Sequence, residues 1–208
     1  MSSHHIVRDE QEPALLVLDL QSFATEMLGL LLEWSPTVMC GEVGFEQLVQ
    51  RGIKVDVAIV SESFVESNQE ALSLQSPIVV IPSEAKSVLG VGLNHLKRGD
   101  HRSVNIVSEV SPESVFHDLE HDSHGLDVTI WKGNERHTRV SKGRFQKWLP
   151  KGAIFRSYGL AKNTEITVVQ LDENPTVLAH EAWITVAKEG IVRLSSRENS
   201  FIYVEQMG

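Results

Sequence analysis

Acidic and hydroxyl side chains follow three short apolar runs in the first half of the chain. Asp19 follows ALLVL, Glu42 comes two residues after PTVMC, and VSES after VDVAI contains Ser61, Glu62 and Ser63. Carboxylates grouped in this way could bind an amine or a cation, because Mg²⁺ prefers carboxylate oxygens and water. The alternatives are that Asp19 caps a helix and that Glu42 and Glu62 are exposed loop residues.

The stretch HDLEHDSH contains a second set of metal-ligand residue types. His117 and His121 are four residues apart in a predicted helix, so they share one face, and Glu120 lies between them. Zinc or another transition metal could use these three side chains as ligands. The alternative is the solvated end of a helix whose buried side is formed by Val115, Phe116 and Leu119.

Composition excludes several classes of protein. The 208 residues are 41% hydrophobic, carry a formal charge of −9 and include one cysteine, Cys40. Nucleic-acid binding normally needs a basic face, which this composition does not indicate. One cysteine excludes an internal disulfide and a multi-cysteine zinc site. The first residues lack the features of a signal peptide, and no apolar run has the length of a membrane span. We therefore expect a cytoplasmic protein with neither membrane nor nucleic acid as a partner.

The pattern of apolar residues changes along the chain. From Ala14 to Trp131, short strand-like runs alternate with helical patterns, which predicts an α/β domain with a parallel-rich sheet and helices on both faces. After Gly133, short strand-like pieces alternate with turns, which predicts a small antiparallel β-sandwich or barrel. We place the two domains at residues 1–135 and 136–208. In parallel sheets ligands bind at the carboxyl ends of the strands, where the acidic and hydroxyl residues stand.

The segment EVGFEQLVQRGIKVDVAIVSESF, within this layout, resembles the thiamine pyrophosphokinase family. That family has an Asp-x-Gly turn before a short helix, a second turn before a buried strand, and then a Gly-Asp-x-Asp-Ser turn. Glu42 and Gly44 match the first motif, and GIKVD matches the second turn. Val60 stands at the glycine of the last motif, and Ser61 and Ser63 stand at its two aspartates.

The resemblance implies a thiamine pyrophosphokinase-like catalytic-type domain, a thiamine-binding-type β domain and a homodimer. It implies thiamine or a nucleotide as ligand, with Mg²⁺ as the cofactor of an active enzyme. Ligand-binding residues would be Gly44, Ser61, Ser63 and Trp183, the last by stacking on a ring. The catalytic candidates are Asp19, Glu42 and Glu62.

Loss of carboxylates predicts a degenerate member of the family. A serine hydroxyl is neutral and holds a cation weakly, and a later acidic pair of the family is represented here by Glu84 and Lys86. Three functions stay open. The chain is a non-catalytic or altered ligand-binding homodimer, an active thiamine diphosphokinase, or a structural or regulatory dimer without a small ligand. The active enzyme would use a rearranged acidic set of Asp19, Glu42 and Glu62, to which Glu84 could be added.

Overall fold

The structure is a computed structural model that describes residues 12–83, 88–120, 125–159, 166–170, 176–177, 182–197 and 200–208. It divides the chain into two compact units. The first unit consists of Met1–Ser111 and Leu119–Gly133, and the second of Pro112–Asp118 and Asn134–Gly208. No helix within the described ranges is long and apolar enough to cross a membrane.

Six strands form the sheet of the first unit. They are β1 (Ala14–Val17), β2 (Val38–Cys40), β3 (Val57–Val60), β4 (Val79–Pro82), β5 (Ser103–Val107) and β6 (Asp127–Lys132). Their order in space is β4-β3-β2-β1-β5-β6, and every neighbouring pair is parallel. The connecting helices are α1 (Thr25–Leu32), α2 (Glu42–Gln50), α3 (Glu62–Ser67), α4 (Gln69–Leu74) and α5 (Val88–Arg98). The predicted parallel-rich α/β sheet is confirmed.

Two glycines bring helices into close contact with the central strands. A Cβ at Gly44 of α2 would lie 2.5 Å from the carbonyl oxygen of Val17 and 3.1 Å from Val17 Cγ1. A Cβ at Gly92 of α5 would lie 3.2 Å from Leu16 Cδ2 and 3.3 Å from Ile59 Cδ1. Because successive strand residues point to opposite faces, α2 and α5 cover opposite faces of the sheet. This double cover explains why β1 is wholly buried and wholly apolar.

Two antiparallel sheets form most of the second unit. The strands are β7 (Glu135–Val140), β8 (Arg144–Leu149), β9 (Ile154–Tyr158), β10 (Ile166–Gln170), β11 (Thr176–Val177), β12 (Ile184–Thr185), β13 (Gly190–Ser196) and β14 (Phe201–Gln206). One sheet has the order β12-β9-β14-β7 and the other β11-β10-β13-β8. Phe155, Phe201 and Tyr203 of the first sheet pack with Val192 and Leu194 of the second in one buried cluster. The predicted β-sandwich is confirmed.

The second unit also includes most of a helix that precedes its strands in the chain. This helix, α6, spans Pro112–Glu120, and its residues Pro112–Asp118 belong to the second unit. Val115 and Phe116 are buried.

Candidate active site

The candidate site lies at the carboxyl edge of the parallel sheet in the first unit. Since all six strands run in the same direction, the residues that follow each of them meet at one edge. Asp19 follows β1, Glu42 begins α2 after β2, Ser61 to Ser63 follow β3, and Glu109 follows β5. The sequence predicts that Glu42 and Glu62 stand at adjacent strand ends, and β2 and β3, which precede them, are neighbours in the sheet.

Glu42 and Ser61 are joined by two hydrogen bonds. Glu42 Oε1 accepts from the backbone N–H of Ser61 at 2.8 Å and from its hydroxyl at 2.6 Å. The Ser61 hydroxyl lies 3.1 Å from the hydroxyl of Ser63 and accepts from the backbone N–H of Phe64 at 3.3 Å. Ser61 is therefore the N-cap of α3 and also a hydrogen-bond donor to Glu42.

The charge state of Glu42 follows from these contacts. The side-chain hydrogen bond from Ser61, followed by the backbone hydrogen bond from the same residue, lowers the pKa of Glu42, while partial burial opposes the shift. Hydrogen bonds to the ionised form favour that form. Glu42 is thus a carboxylate at neutral pH, and one of its oxygens is already satisfied by two donors.

Asp19 is fixed by a side chain from α2. Its Oδ1 accepts from Gln47 Nε2 at 2.9 Å and from the backbone N–H of Gln21 at 2.9 Å. Gln47 Oε1 in turn accepts from the backbone N–H of Leu20 at 2.6 Å. The alternative that Asp19 caps α1 is wrong, because the N-cap of α1 is Ala24, five residues later. Asp19 instead holds the loop after β1 against α2.

Glu109 is a further acidic residue of the edge, and it was not among the residues predicted from the sequence. Its Oε1 accepts from the backbone N–H of Ser22 at 2.9 Å and from the Ser22 hydroxyl at 2.6 Å. The contact joins the loop after β5 to the loop after β1, because β1 and β5 are neighbours in the sheet. The only indication in the sequence was that Glu109 follows a predicted strand. That this strand, β5, lies beside β1 could not be read from the sequence.

The remaining predicted site residues occupy several environments. Glu62 is exposed in the first turn of α3, and Gly44 is buried at the contact of α2 with β1. Trp183 belongs to the second unit, where the guanidinium carbon of Arg156 lies 4.7 Å from the centre of its ring. Glu84 and Lys86 lie outside the described residues. The proposed ligand and catalytic roles stay predictions.

The metal-ligand prediction for HDLEHDSH is only partly covered by the structure. His117 lies in the last turn of α6. His121 lies outside the described residues, as does the side chain of Glu120. Among the residues that the structure describes, no three histidine, cysteine, aspartate or glutamate side chains form a group suited to a metal ion. The prediction therefore stays a prediction.

Cys40 at the end of β2 is fully buried. Burial raises the pKa of its thiol to about 12, so the thiol stays protonated at neutral pH. A buried thiol of this kind behaves as a small apolar side chain and is a poor nucleophile.

A second group of titratable side chains, also missed from the sequence, lies in the second unit. His137 is 1% exposed, its Nε2 is 3.2 Å from Glu135 Oε2, and its Nδ1 is 3.4 Å from the hydroxyl of Tyr158. Arg156 Nη2 donates to Glu135 at 2.9 Å, and Glu113 of α6 forms a hydrogen bond with Tyr158. Burial is the main cause that lowers the pKa of His137 to about 4. The imidazole is therefore neutral at pH 7.

Comparison with known proteins identifies solved structures with a similar fold but no protein that is similar in sequence. No protein-family model matches the chain, and no curated protein matches it. Among solved structures, thiamine pyrophosphokinase from Bacillus subtilis is similar with a TM-score of 0.66 and 10% identity, over 93% of this chain and 99% of that one. A probable thiamine pyrophosphokinase from Staphylococcus saprophyticus has a TM-score of 0.61 and 14% identity, over 94% and 99%. Thiamin pyrophosphokinase from Candida albicans has a TM-score of 0.62 and 10% identity, over 94% and 90%. The chain has the thiamine pyrophosphokinase fold.

Proposed function

We propose that this chain is a thiamine pyrophosphokinase-like protein that keeps a ligand site at the carboxyl edge of its parallel sheet but does not transfer pyrophosphate at enzymatic rates. Its ligand is thiamine or a nucleotide, and its working form is a homodimer. The observation that carries the proposal is the pair of hydrogen bonds from Ser61 to Glu42. They occur where the resemblance implies a set of acidic residues that binds magnesium.

The donor set at this edge does not fit a magnesium site of the family type. Ser61 and Ser63 offer neutral hydroxyls at the positions of two aspartates, and one oxygen of Glu42 already accepts from Ser61. Hydrogen bonds to a carboxylate contribute about 1 kcal/mol or more each, so a cation at that oxygen would first have to displace them. Asp19 is engaged in the same way by Gln47.

The kinetic consequence is large. A metal that bridges phosphate oxygens supplies several kcal/mol of charge stabilisation in the transition state. Losing about 4 kcal/mol of it slows the chemical step roughly a thousandfold. The polar edge itself remains, with hydroxyls, carboxylates and helix starts at the ends of β2 and β3. Ligand binding without turnover follows from this combination.

The catalytic half of the proposal is tested by AMP release from ATP in the presence of Mg²⁺ and thiamine. We expect the wild type to be inactive and the double variant Ser61→Asp/Ser63→Asp to gain activity. The matched control is Ser73→Asp, which adds a carboxylate to an exposed serine of α4 away from the edge. Wild-type turnover of about one per second, typical of enzymes, would refute the loss of catalysis.

The double variant places new carboxylates beside Glu42, so its folding must be checked. Melting temperatures should be measured with and without Mg²⁺. A triple variant, Glu42→Gln with Ser61→Asp and Ser63→Asp, removes the like-charge contact and serves if the double variant unfolds. Failure of both folded variants to gain activity or Mg²⁺-dependent stability would count against a vestigial metal site at this edge.

The binding half is tested by the thermal stability of the wild type. Thiamine, thiamine diphosphate, ATP and Mg²⁺ should be added separately and together. A ligand at about 100 times its Kd stabilises the native state by about 2.7 kcal/mol. No shift with any of them would favour a structural dimer without a small ligand. Sedimentation at micromolar concentration tests the homodimer, which a purely monomeric profile would contradict.

A further inference from the structure

The outer face of the four-stranded sheet in the second unit has a regular arrangement of side chains. Leu149 of β8 and Val192 and Leu194 of β13 point into the sandwich core and are buried, and the alternate residues of both strands point outward. The outward residues form three facing pairs by strand register. These pairs, which we call the β8–β13 face, are Arg144 with Ser195, Gln146 with Arg193, and Trp148 with Ile191.

The face has a basic end and an apolar end. Trp148 is 56% exposed, and Ile191 opposite it is half-buried. Arg144 and Arg193 are exposed and form a diagonal pair, which places their Cα atoms about 7–8 Å apart. The long, forked side chains of a diagonal arginine pair can reach a single anion between them.

Within the described ranges, no carboxylate neutralises the charges at the basic end. Arg136, Lys147 and Arg156 of the same unit are paired with Glu205 or Glu135. Neither Arg144 nor Arg193 is paired with a carboxylate in the part of the chain that the structure describes. None of the six side chains of the face is acidic, although the whole chain has a formal charge of −9. Two neighbouring unpaired cations repel each other, and a bound anion would relieve that repulsion.

A concave site lies at this end of the face. It has a volume of about 330 Å³ and is lined by residues 144–146 of β8 and 193–195 of β13. That volume is at the lower end of the range for small-molecule sites. Gln146 and Ser195 add neutral hydrogen-bonding groups beside the arginines. Trp148 lies two residues beyond Gln146 on the same face, a distance of about 6.8 Å along the strand.

We propose that the β8–β13 face binds a small phosphate-bearing compound with a planar ring. Arg144 and Arg193 bind the phosphate, because a guanidinium matches phosphate oxygens with two parallel hydrogen bonds. The ring lies against Trp148, whose exposed aromatic surface suits offset stacking. This site is formed wholly within the second unit and does not depend on the carboxyl edge of the parallel sheet.

The probe for this site is AMP, with inorganic phosphate and adenosine as its two halves. Titration calorimetry on the full chain should show AMP binding more tightly than either half. The double variant Arg144→Gln/Arg193→Gln should weaken AMP binding at least tenfold and abolish phosphate binding. The matched control Arg98→Gln, at an exposed position of α5 in the first unit, should leave both unchanged.

A separate variant tests the stacking of the ligand ring on Trp148. Trp148→Leu should weaken AMP binding about fivefold to tenfold, the size of one stacking contact, and leave phosphate binding unchanged. Equal AMP affinity in the wild type and the double arginine variant would overturn the proposal, as would no binding of AMP or phosphate at millimolar concentration.

Two further measurements distinguish this site from a nucleotide site at the carboxyl edge and from a subunit interface. AMP binding that is lost in Ser61→Asp/Ser63→Asp and kept in the double arginine variant would assign the ligand to the carboxyl edge and overturn the proposal. Sedimentation of Trp148→Leu tests whether a second copy of the chain covers the face. A change from dimer to monomer in that variant would also overturn it.

Discussion

The buried His137 should make the chain lose stability in mild acid. Its pKa is lowered to about 4 in the folded chain, chiefly by burial, whereas the same group in an unfolded chain titrates near 6.5. Between these values the unfolded chain binds a proton that the folded chain does not. The contribution of His137 is therefore fully present above about pH 6.5 and is lost as the pH falls toward about 4.

The size of the effect follows from the difference between the two pKa values. The difference between the two pKa values corresponds to about 3 kcal/mol when complete. Between pH 7 and pH 4.5 the loss is about 2 kcal/mol, a large part of a typical unfolding free energy of about 5–15 kcal/mol. The titratable or charged groups around the imidazole are Glu113, Glu135, Arg156 and Tyr158. The two glutamates raise the pKa of His137 and Arg156 lowers it, so burial remains the largest cause of the shift.

Urea unfolding of the full chain at pH 7 and pH 4.5 measures the effect. Carboxylates also titrate in this range, so the informative quantity is the difference between wild type and His137→Gln, which has no ionisable group at this position. The variant should lose about 2 kcal/mol less than the wild type between the two pH values. His95→Gln, at a half-buried histidine of α5, controls for the removal of a histidine from the first unit. Equal losses in wild type and His137→Gln would refute the assignment of a neutral buried imidazole.

Three other outcomes follow from the packing of the first unit. Gly44→Ala should destabilise the chain by about 1–3 kcal/mol in urea unfolding, since its Cβ would lie 2.5 Å from the Val17 carbonyl oxygen. Gly29→Ala in α1 has open space around it and should be neutral or stabilising by up to about 1 kcal/mol, and an equal loss in both variants would contradict the close contact. Glu42→Gln should lower stability at pH 7 by less than about 1 kcal/mol, because the contact is partly exposed. The pKa of Glu42 is lowered on folding, so this difference should be present above its unfolded pKa of about 4.5 and vanish as the pH falls through the folded value. Cys40 should resist alkylation by iodoacetamide in the native chain and react on unfolding, as mass spectrometry can check, since it is fully buried and burial raises its pKa to about 12.

The apolar pattern predicted the layers of both units because burial and strand period are local properties. ALLV and VAIV read as continuous apolar runs, and both are covered on two faces. The alternation in Gly190–Ser196 likewise separates an inner from an outer face. These features need no knowledge of the partner strand.

The polar contacts of the site were predictable only where the sheet order matched the chain order. Glu42 and Ser61 follow β2 and β3, which are neighbours in sequence and in space. Ser22 meets Glu109 only because β5 lies beside β1, and their separation of 87 positions in the sequence gives no sign of this contact. Gln47 was missed for a different reason, since a glutamine in a helix is usually a solvated residue.

The bond from Ser61 to Glu42 also constrains how this edge could change during evolution. An aspartate at position 61 alone would place a second negative charge within hydrogen-bonding distance of Glu42, where a neutral donor now stands. Such a change is unfavourable unless a cation arrives with it or Glu42 changes first. The two positions therefore cannot drift independently. A carboxylate at position 61 is therefore compatible with this edge only together with a neutral residue at position 42 or a cation between the two side chains.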